Sequence, residues 1–477
     1  MRGAAAWLDP VPPRDGIALA ETVRSAAAGH FGALLDAVHP PLAAALATPL
    51  AAAGLDPVTA LAVVAVLAST LAVLPLHSLA RRAFDEDGAN AAALLYAVTP
   101  PLVRIGSTAF GEPLLFLLGL LSLDAAHRAL RHWRPARDAA WAGVFAGAAY
   151  LGRLEALALL PLLLGATLAP GAGRPWKNRL AGFAAALLGF AFLAGPWIAA
   201  EGTVPGKSLA VLAGSAPAAP QGGAAPADRP TLPGAVVQAL GAVPEAMHPV
   251  VAVLALLGLV SLFGRRRCGK VLGPPIFTLA AALLFLGGVV LLEWRYGYGG
   301  RRHASMAGVV LVPFAGAGLL LAGNLLGKIG GPLRRPVAAL GLALALAVLP
   351  LLAGSLLQRD AGGAEAREVG MALRALLPAG SPPPRIATYG DPRVAWYAGG
   401  ADVRLVREFR VRAGASPADA ARVGDALRWF LGGRGGADFV VLWKGDDRIP
   451  PDVPGPGGGE PVAVSGNLRA WRTAGIR

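Results

Sequence analysis

The sequence predicts an all-α polytopic membrane domain followed by a small C-terminal α/β domain. Three observations carry the architecture. The 477-residue chain is 55% apolar and only 15% charged, whereas soluble domains carry about 25% charged residues. Apolar runs near the length of about 20 residues that a bilayer core requires recur along most of the chain. From residue 360 onward the pattern changes: 363–377 and 417–431 read as amphipathic helices, and 385–389, 403–409 and 437–443 as strands between Pro- and Gly-rich turns.

Taken in order, residues 1–57 form an outer-face N-terminal segment, with 17–29 and the Pro-flanked 40–53 as helices near the membrane interface. Residues 58–357 form the transmembrane domain, and 358–477 the α/β domain. The predicted spans, about ten, are 58–78, 89–103, 110–127, 139–152, 154–169, 180–200, 245–263, 271–292, 304–323 and 337–357. Residues 201–235, rich in Ala, Pro and Gly, read as a loop. No membrane helix is expected before residue 58, and residues 1–16 lack the apolar core of a cleavable signal peptide.

The net charge of +14 comes from 43 Lys+Arg against 29 Asp+Glu. The basic residues sit largely in alternate short loops, so orientation in the membrane explains them better than a nucleic-acid partner does. Arg81 and Arg82, Arg128 to Arg137, Arg174 to Arg179, Arg265 to Lys270, and Lys328 to Arg335 mark the cytoplasmic side. The opposite loops hold Asp15, His39, Glu112, Lys207 and the Arg301–His303 cluster, and the C-terminal domain falls on that same non-cytoplasmic face. The single cysteine, Cys268, excludes an intrachain disulfide and a cysteine zinc site. Zinc-ligand spacing, HExxH and GxSxG are absent. Gly202 to Ser208 resembles a nucleotide P-loop but is one residue short and follows a membrane helix rather than a strand.

Five short motifs carry chemistry. In Arg14-Asp15-Gly16 the carboxylate either accepts a proton from a hydroxyl or caps the helix that follows. His39-Pro40-Pro41-Leu42 is a rigid turn whose imidazole either meets a lipid phosphate or simply ends an interfacial segment. Gly111-Glu112-Pro113 starts a span, where an acidic residue also suits the helix dipole. Tyr150 to Glu155 places Arg153 and Glu155 inside the continuous apolar stretch 139–169. Ionisable groups at that depth are costly: either the stretch breaks into two helices at a tight turn, or the pair is buried, for function or as a structural salt bridge. Last, Glu293-Trp294-Arg295-Tyr296 and Gly299 to His303 make the most basic outer loop between spans, suited to phosphate oxygens beyond what a snorkelling belt explains.

In order and spacing these motifs resemble the bacterial membrane glycosyltransferases of the GT-C fold, in particular the family 39 or protein O-mannosyltransferase-like group that includes the lipid A aminoarabinose transferase. The similarity covers roughly residues 10–325. Its marks are the acidic first outer loop at Asp15, the HPPL turn at His39, the GEP at Glu112, and a YLTRPEGL-like run that reads Tyr150-Leu151-Gly152-Arg153-Leu154-Glu155 here. Two features depart from the family. The helix expected before the acidic loop is missing, and the usual Thr and Pro of that run are Gly152 and Leu154, which leaves every charge in place.

The resemblance implies a plasma (inner) membrane, multi-pass glycosyltransferase acting on the non-cytoplasmic face. Its donor is a sugar linked to polyprenyl phosphate, and its acceptor is a hydroxyl of a glycan, lipid or protein. By the same carry-over Asp15 is the general base. Glu112 assists at the acceptor or holds a divalent metal. His39, Arg153, Arg295, Arg301, Arg302 and His303 hold the donor phosphate, with Glu155 orienting Arg153. A transporter or flippase of lipid-linked sugars would share the helices and the cations, and matching broken helices in an internal repeat would favour it; no such repeat is visible. A non-catalytic scaffold that kept the fold is the other alternative, separated from an enzyme by replacement of Asp15.

Overall fold

A computed structural model describes residue 3 and residues 14–35, 39–131, 135–168, 175–200, 230–267, 273–296, 300–329 and 361–377. In the remaining chain it describes 384–388, 393–399, 401–404, 439–443, 461, 463–465 and 468–472. The chain divides into two compact units, one of residues 1–8 with 19–358 and one of residues 9–18 with 359–477.

The helices begin where local chemistry allows. α1 (Arg14–Ala27) and α2 (Leu42–Ala52) are short. α3 (Pro57–Leu71) starts with the Asp56 carboxylate accepting from the backbone N–H groups of Val58 and Thr59 at 3.0 and 3.1 Å, with proline at the first helical position. α4 (Val73–Ala83) continues it, so that Pro57–Ala83 is long enough to cross a membrane. Asp85 caps α5 (Glu86–Val98) through the Gly88 N–H at 2.8 Å. Thr99 then turns extended before Pro100, as residues preceding proline do, and the chain re-enters a helix as α6 (Pro100–Ile105).

α7 (Glu112–Arg131), α8 (Pro135–Gly152), α9 (Leu159–Leu168) and α10 (Trp176–Ala200) follow, with a 3₁₀ turn at Leu154–Ala158 between α8 and α9. α11 (Leu232–Met247) and α12 (Pro249–Arg267) are bent 108° against each other at His248, whose φ is +73°. Pro249 removes the α conformation from the residue before it, and the helix breaks there. α13 (Gly273–Tyr296) and α14 (Arg301–Ile329) are the last described helices of the first unit.

Ten spans are expected from the sequence, but among the described residues five helices are long and apolar enough to cross a membrane, or six if the bent pair is one span. The shortfall has local causes. The expected span 89–103 is interrupted at Thr99, the expected spans 139–152 and 154–169 are separated at Arg153 as the sequence suggests but the second is short, and 337–357 lies outside the described residues. The loop expected over 201–235 gives way at Leu232 to α11, which Thr231 caps through the Gly234 N–H.

Two of the helices are central. The apolar window of α14 is 78% buried and that of α7 is 72% buried, against 28% for α10, whose Leu188 and Phe192 are among the most exposed apolar side chains. Helices in lipid gain little from hydrophobic burial against each other, so close backbone approach through small residues holds them. A Cβ on Gly258 of α12 would run into the Phe314 carbonyl of α14, and one on Gly318 of α14 into the Leu254 carbonyl of α12. α8 and α10 meet the same way, through Gly143 against Ala186 and Gly189 against Ala140. The obstructing atoms are backbone and cannot rotate away. Gly318→Ala is therefore expected to destabilise the protein by roughly 1–3 kcal/mol, the usual cost of overpacking, read as a lower thermal midpoint in detergent; an unchanged midpoint contradicts the close approach.

The second unit contains α15 (Ala361–Ala375), β1 (Arg385–Thr388), α16 (Arg393–Ala398), β2 (Ala401–Arg404), β3 (Phe439–Trp443), β4 (Ala463–Ser465) and β5 (Leu468–Arg472). The sheet order is β2-β1-β3-β5-β4, with β1 parallel to β2 and β3, and β5 antiparallel to β3 and β4. Val369 and Leu373 from α15, Val394 from α16, and Ile386 and Phe439 from the sheet form its core. The helix expected at 417–431 lies outside the described residues.

Candidate active site

α8 ends where Arg153 leaves the helical region (φ −156°, ψ 134°), its N–H still bonded to the Ala149 carbonyl at 2.8 Å. The break forms although Leu154 stands where the resemblance expects proline. Gly111, the residue before α7, lies against this break: a Cβ there would stand 2.5 Å from the Gly152 carbonyl oxygen and 3.1 Å from Arg153 Cδ. Two glycines thus let the start of α7 abut the end of α8, which brings Glu112 beside Arg153.

The result is a closed ring of five ionisable side chains from three chain segments. Glu112 Oε1 lies 3.2 Å from an Arg153 guanidinium nitrogen and accepts from Arg302 Nε at 2.6 Å. Arg153 also forks onto Glu155, its Nε donating to Oε2 at 3.0 Å and its Nη2 to Oε1. His303 Nδ1 is 2.8 Å from Glu155 Oε1, and His303 adjoins Arg302 at the start of α14, which closes the circle. Glu112 is 1% exposed, while the Arg153, Glu155 and Arg302 side chains are 14, 20 and 27% exposed. The Arg302 guanidinium also stacks over Phe110, 3.9 Å from the ring centroid.

Two arginines and two carboxylates balance in formal charge. Arg153 follows the end of α8 and Arg302 starts α14, and their forked guanidinium groups suit phosphate oxygens. Buried ionisable groups in an apolar bundle are a functional signature.

The structure therefore brings together Glu112, Arg153, Glu155, Arg302 and His303. Arg301 is exposed beside Arg302. Arg295 is exposed at the end of α13 and stacks on its own neighbour Trp294 at 4.7 Å. His39 is half-buried at the bend before α2. Asp15 stands in the first turn of α1, in the stretch of the chain that belongs to the second unit, and its side chain lies outside the described residues. Among the described residues no three His, Cys, Asp or Glu side chains gather to hold a metal. Glu112 meets guanidinium groups, which repel a cation, so a divalent ion does not fit there.

Sequence reasoning missed Phe110, the packing of Gly111 against Gly152, and a second charged cluster. About 18 Å further along α7, Asp124 accepts from Ser78 Oγ at 2.8 Å and Arg82 Nε at 3.0 Å, and pairs with Arg128. Arg128 Nε also lies 3.8 Å from Asp138. Asp124 falls inside the predicted span 110–127, so the cost of a buried charge was a signal that could have found it. This cluster ties α4, α7 and α8 together at their other end. Asp124→Asn is expected to lower stability by about 2 kcal/mol, the scale of a hydrogen bond to a charged group, read as a lower thermal midpoint in detergent; an unchanged midpoint would contradict the tie.

Residues 38–198, about a third of the chain, match the family model described as dolichyl-phosphate-mannose-protein mannosyltransferase. This stretch includes His39, Glu112, Arg153 and Glu155. No curated protein sequence is significantly similar. Solved structures share the fold. ArnT from Cupriavidus metallidurans in the apo state superposes with a TM-score of 0.59 at 12% identity, covering 97% of this chain and 94% of that one. The same protein bound to undecaprenyl phosphate gives 0.58 at 13% identity, covering 91% and 89%. The Archaeoglobus fulgidus oligosaccharyltransferase in the apo form gives 0.53 at 15% identity, covering 85% of this chain and 62% of that one. The chain thus spans about three fifths of the archaeal protein's length. The similarity to GT-C membrane glycosyltransferases read from the motifs is borne out by the family model and by the fold.

Proposed function

We propose that this chain is an integral membrane glycosyltransferase. It transfers a sugar from a polyprenyl-phosphate-linked donor to an acceptor hydroxyl on the non-cytoplasmic face of the plasma (inner) membrane. The observation that carries the proposal is the ring of Arg153 and Arg302 on Glu112 and Glu155, on a fold shared with ArnT, one structure of which holds undecaprenyl phosphate. The donor phosphate takes one or both guanidinium groups. As the bond from the anomeric carbon to the phosphate oxygen breaks, negative charge grows on the phosphate, and fixed cations stabilise it. His39, Arg295, Arg301 and His303 complete the positive surface at headgroup depth. Asp15 takes the proton of the acceptor hydroxyl that attacks the anomeric carbon, and the polyprenyl phosphate leaves with its electron pair. No step requires a metal.

The chain crosses the membrane about ten times in this reading, with the short apolar helices completing spans in pairs. The α/β domain lies on the periplasmic or extracellular side. Reporter fusions near 132, 175 and 267 are expected to report cytoplasm, and a fusion after 360 the opposite side, because basic loops stay inside. A cytoplasmic C-terminal domain would overturn the placement of every site residue. The function itself is tested by incubating membranes that contain the protein with radiolabelled polyprenyl-phosphate sugars. Label is expected to pass to an acceptor, and movement of intact donor between leaflets without transfer would favour a transporter.

A further inference from the structure

One oxygen of the ring is unaccounted for. Both arginine contacts of Glu112 fall on Oε1. Its Oε2 is buried and, among the described residues, has no hydrogen-bond partner. A buried carboxylate oxygen without a donor is costly, and native structures tolerate one chiefly where a water or a ligand supplies the partner.

The chemistry of the missing partner is restricted. It must donate a hydrogen. A phosphate cannot serve, because two anions repel. A phosphate held by Arg153 and Arg302 stands two hydrogen-bond lengths from the Glu112 carboxylate, about 6 Å. Within that reach a polyprenyl-phosphate sugar offers few candidates: the prenyl chain is hydrocarbon, and the phosphodiester carries no proton at neutral pH. The donors are on the sugar ring, one bond beyond the phosphate oxygen.

We infer that Glu112 Oε2 accepts a hydrogen bond from a hydroxyl of the donor sugar, so that Glu112 reads the sugar while the arginines it holds read the phosphate. The inference rests on the transferase reading above. Oε2 is covered while the ring is closed, and it becomes reachable when the phosphate draws a guanidinium away from Oε1. Arg302, the more exposed of the two, is the one to turn. The exchange is matched: Glu112 surrenders a cationic donor and gains a hydroxyl, and the sugar must present that hydroxyl for the phosphate to seat. Glu112 is then a specificity-determining residue.

The test uses full-length protein in proteoliposomes and a set of polyprenyl-phosphate sugars that each lack one ring hydroxyl. With the wild type, removal of one particular hydroxyl is expected to lower kcat/KM by about 10–100-fold, the scale of a hydrogen bond to a charged group. The other deoxy donors lose much less. In Glu112→Gln that selective penalty shrinks, because a neutral amide is a weaker acceptor than a carboxylate. Retained binding of bare polyprenyl phosphate, which has no sugar, shows that the variant is folded. If Glu112→Gln lowers transfer from every donor by one common factor, Glu112 only holds its arginines and the inference is wrong. Should the variant fail to fold, a wild type that tolerates every deoxy donor equally overturns it, and a single strongly disfavoured one supports it. Absence of transfer from any intact donor overturns the transferase reading and this inference with it.

Discussion

Asp15→Asn is expected to lower sugar transfer by about 10²–10⁴-fold, the range lost with a general base, while the protein keeps its fold and its affinity for polyprenyl phosphate. The change is isosteric, and Asp15 is the second residue of α1, inside the helix rather than at its cap, where its charge suits the helix dipole. A helix-terminal charge and a catalytic base predict different results. Loss of the charge alone costs a little stability and leaves transfer intact, and loss of a base does not. The measurement is single-turnover transfer in proteoliposomes together with lipid binding. Wild-type rates in Asp15→Asn would remove Asp15 from the chemistry.

Arg153→Met has the largest expected structural effect. Arg153 is the one residue of the ring that touches both carboxylates. Its removal leaves Glu155 with His303 and Glu112 with Arg302 alone. Breaking a buried ion pair from one side typically costs about 3–5 kcal/mol, because the partner charge stays buried. The thermal midpoint in detergent is expected to fall accordingly, and polyprenyl phosphate binding to weaken. Arg153→Lys distinguishes charge from geometry: it restores part of the stability but not the forked contact with Glu155. A full recovery of lipid affinity by lysine would show that the phosphate needs only a point charge at this position.

Most of what positions the site is legible in the amino acids, for reasons that differ from residue to residue. Arg153 and Glu155 stand out because ionisable groups inside the apolar stretch 139–169 are expensive, and the structure places them in contact with each other and with Glu112 and His303. Arg302 and His303 are legible as charge in a loop that orientation alone leaves unexplained. The contact between Glu112 and Arg302 spans 190 positions, and nothing local announces it. The abutment of Gly111 on Gly152 is equally silent, since a glycine before a helix reads as an ordinary boundary. Helix α11 is obscured by the Ala-, Pro- and Gly-rich composition that precedes it, although Thr231 and Pro233 form a usable start signal. Strands β4 and β5 are short and carry little periodicity, so their pairing with each other and with β3 emerges only in the sheet.

The central claim is that the arginine ring is the donor-phosphate site and that Asp15 works across the sugar from it. A structure of this protein with a polyprenyl-phosphate sugar bound tests that most directly. The account predicts a phosphate oxygen within hydrogen-bond distance of Arg302 or Arg153, with the Glu112–Arg302 contact opened. It also predicts the Asp15 carboxylate on the opposite side of the anomeric carbon. A phosphate seated elsewhere, with the five-residue ring still closed and Asp15 remote from the sugar, would contradict it.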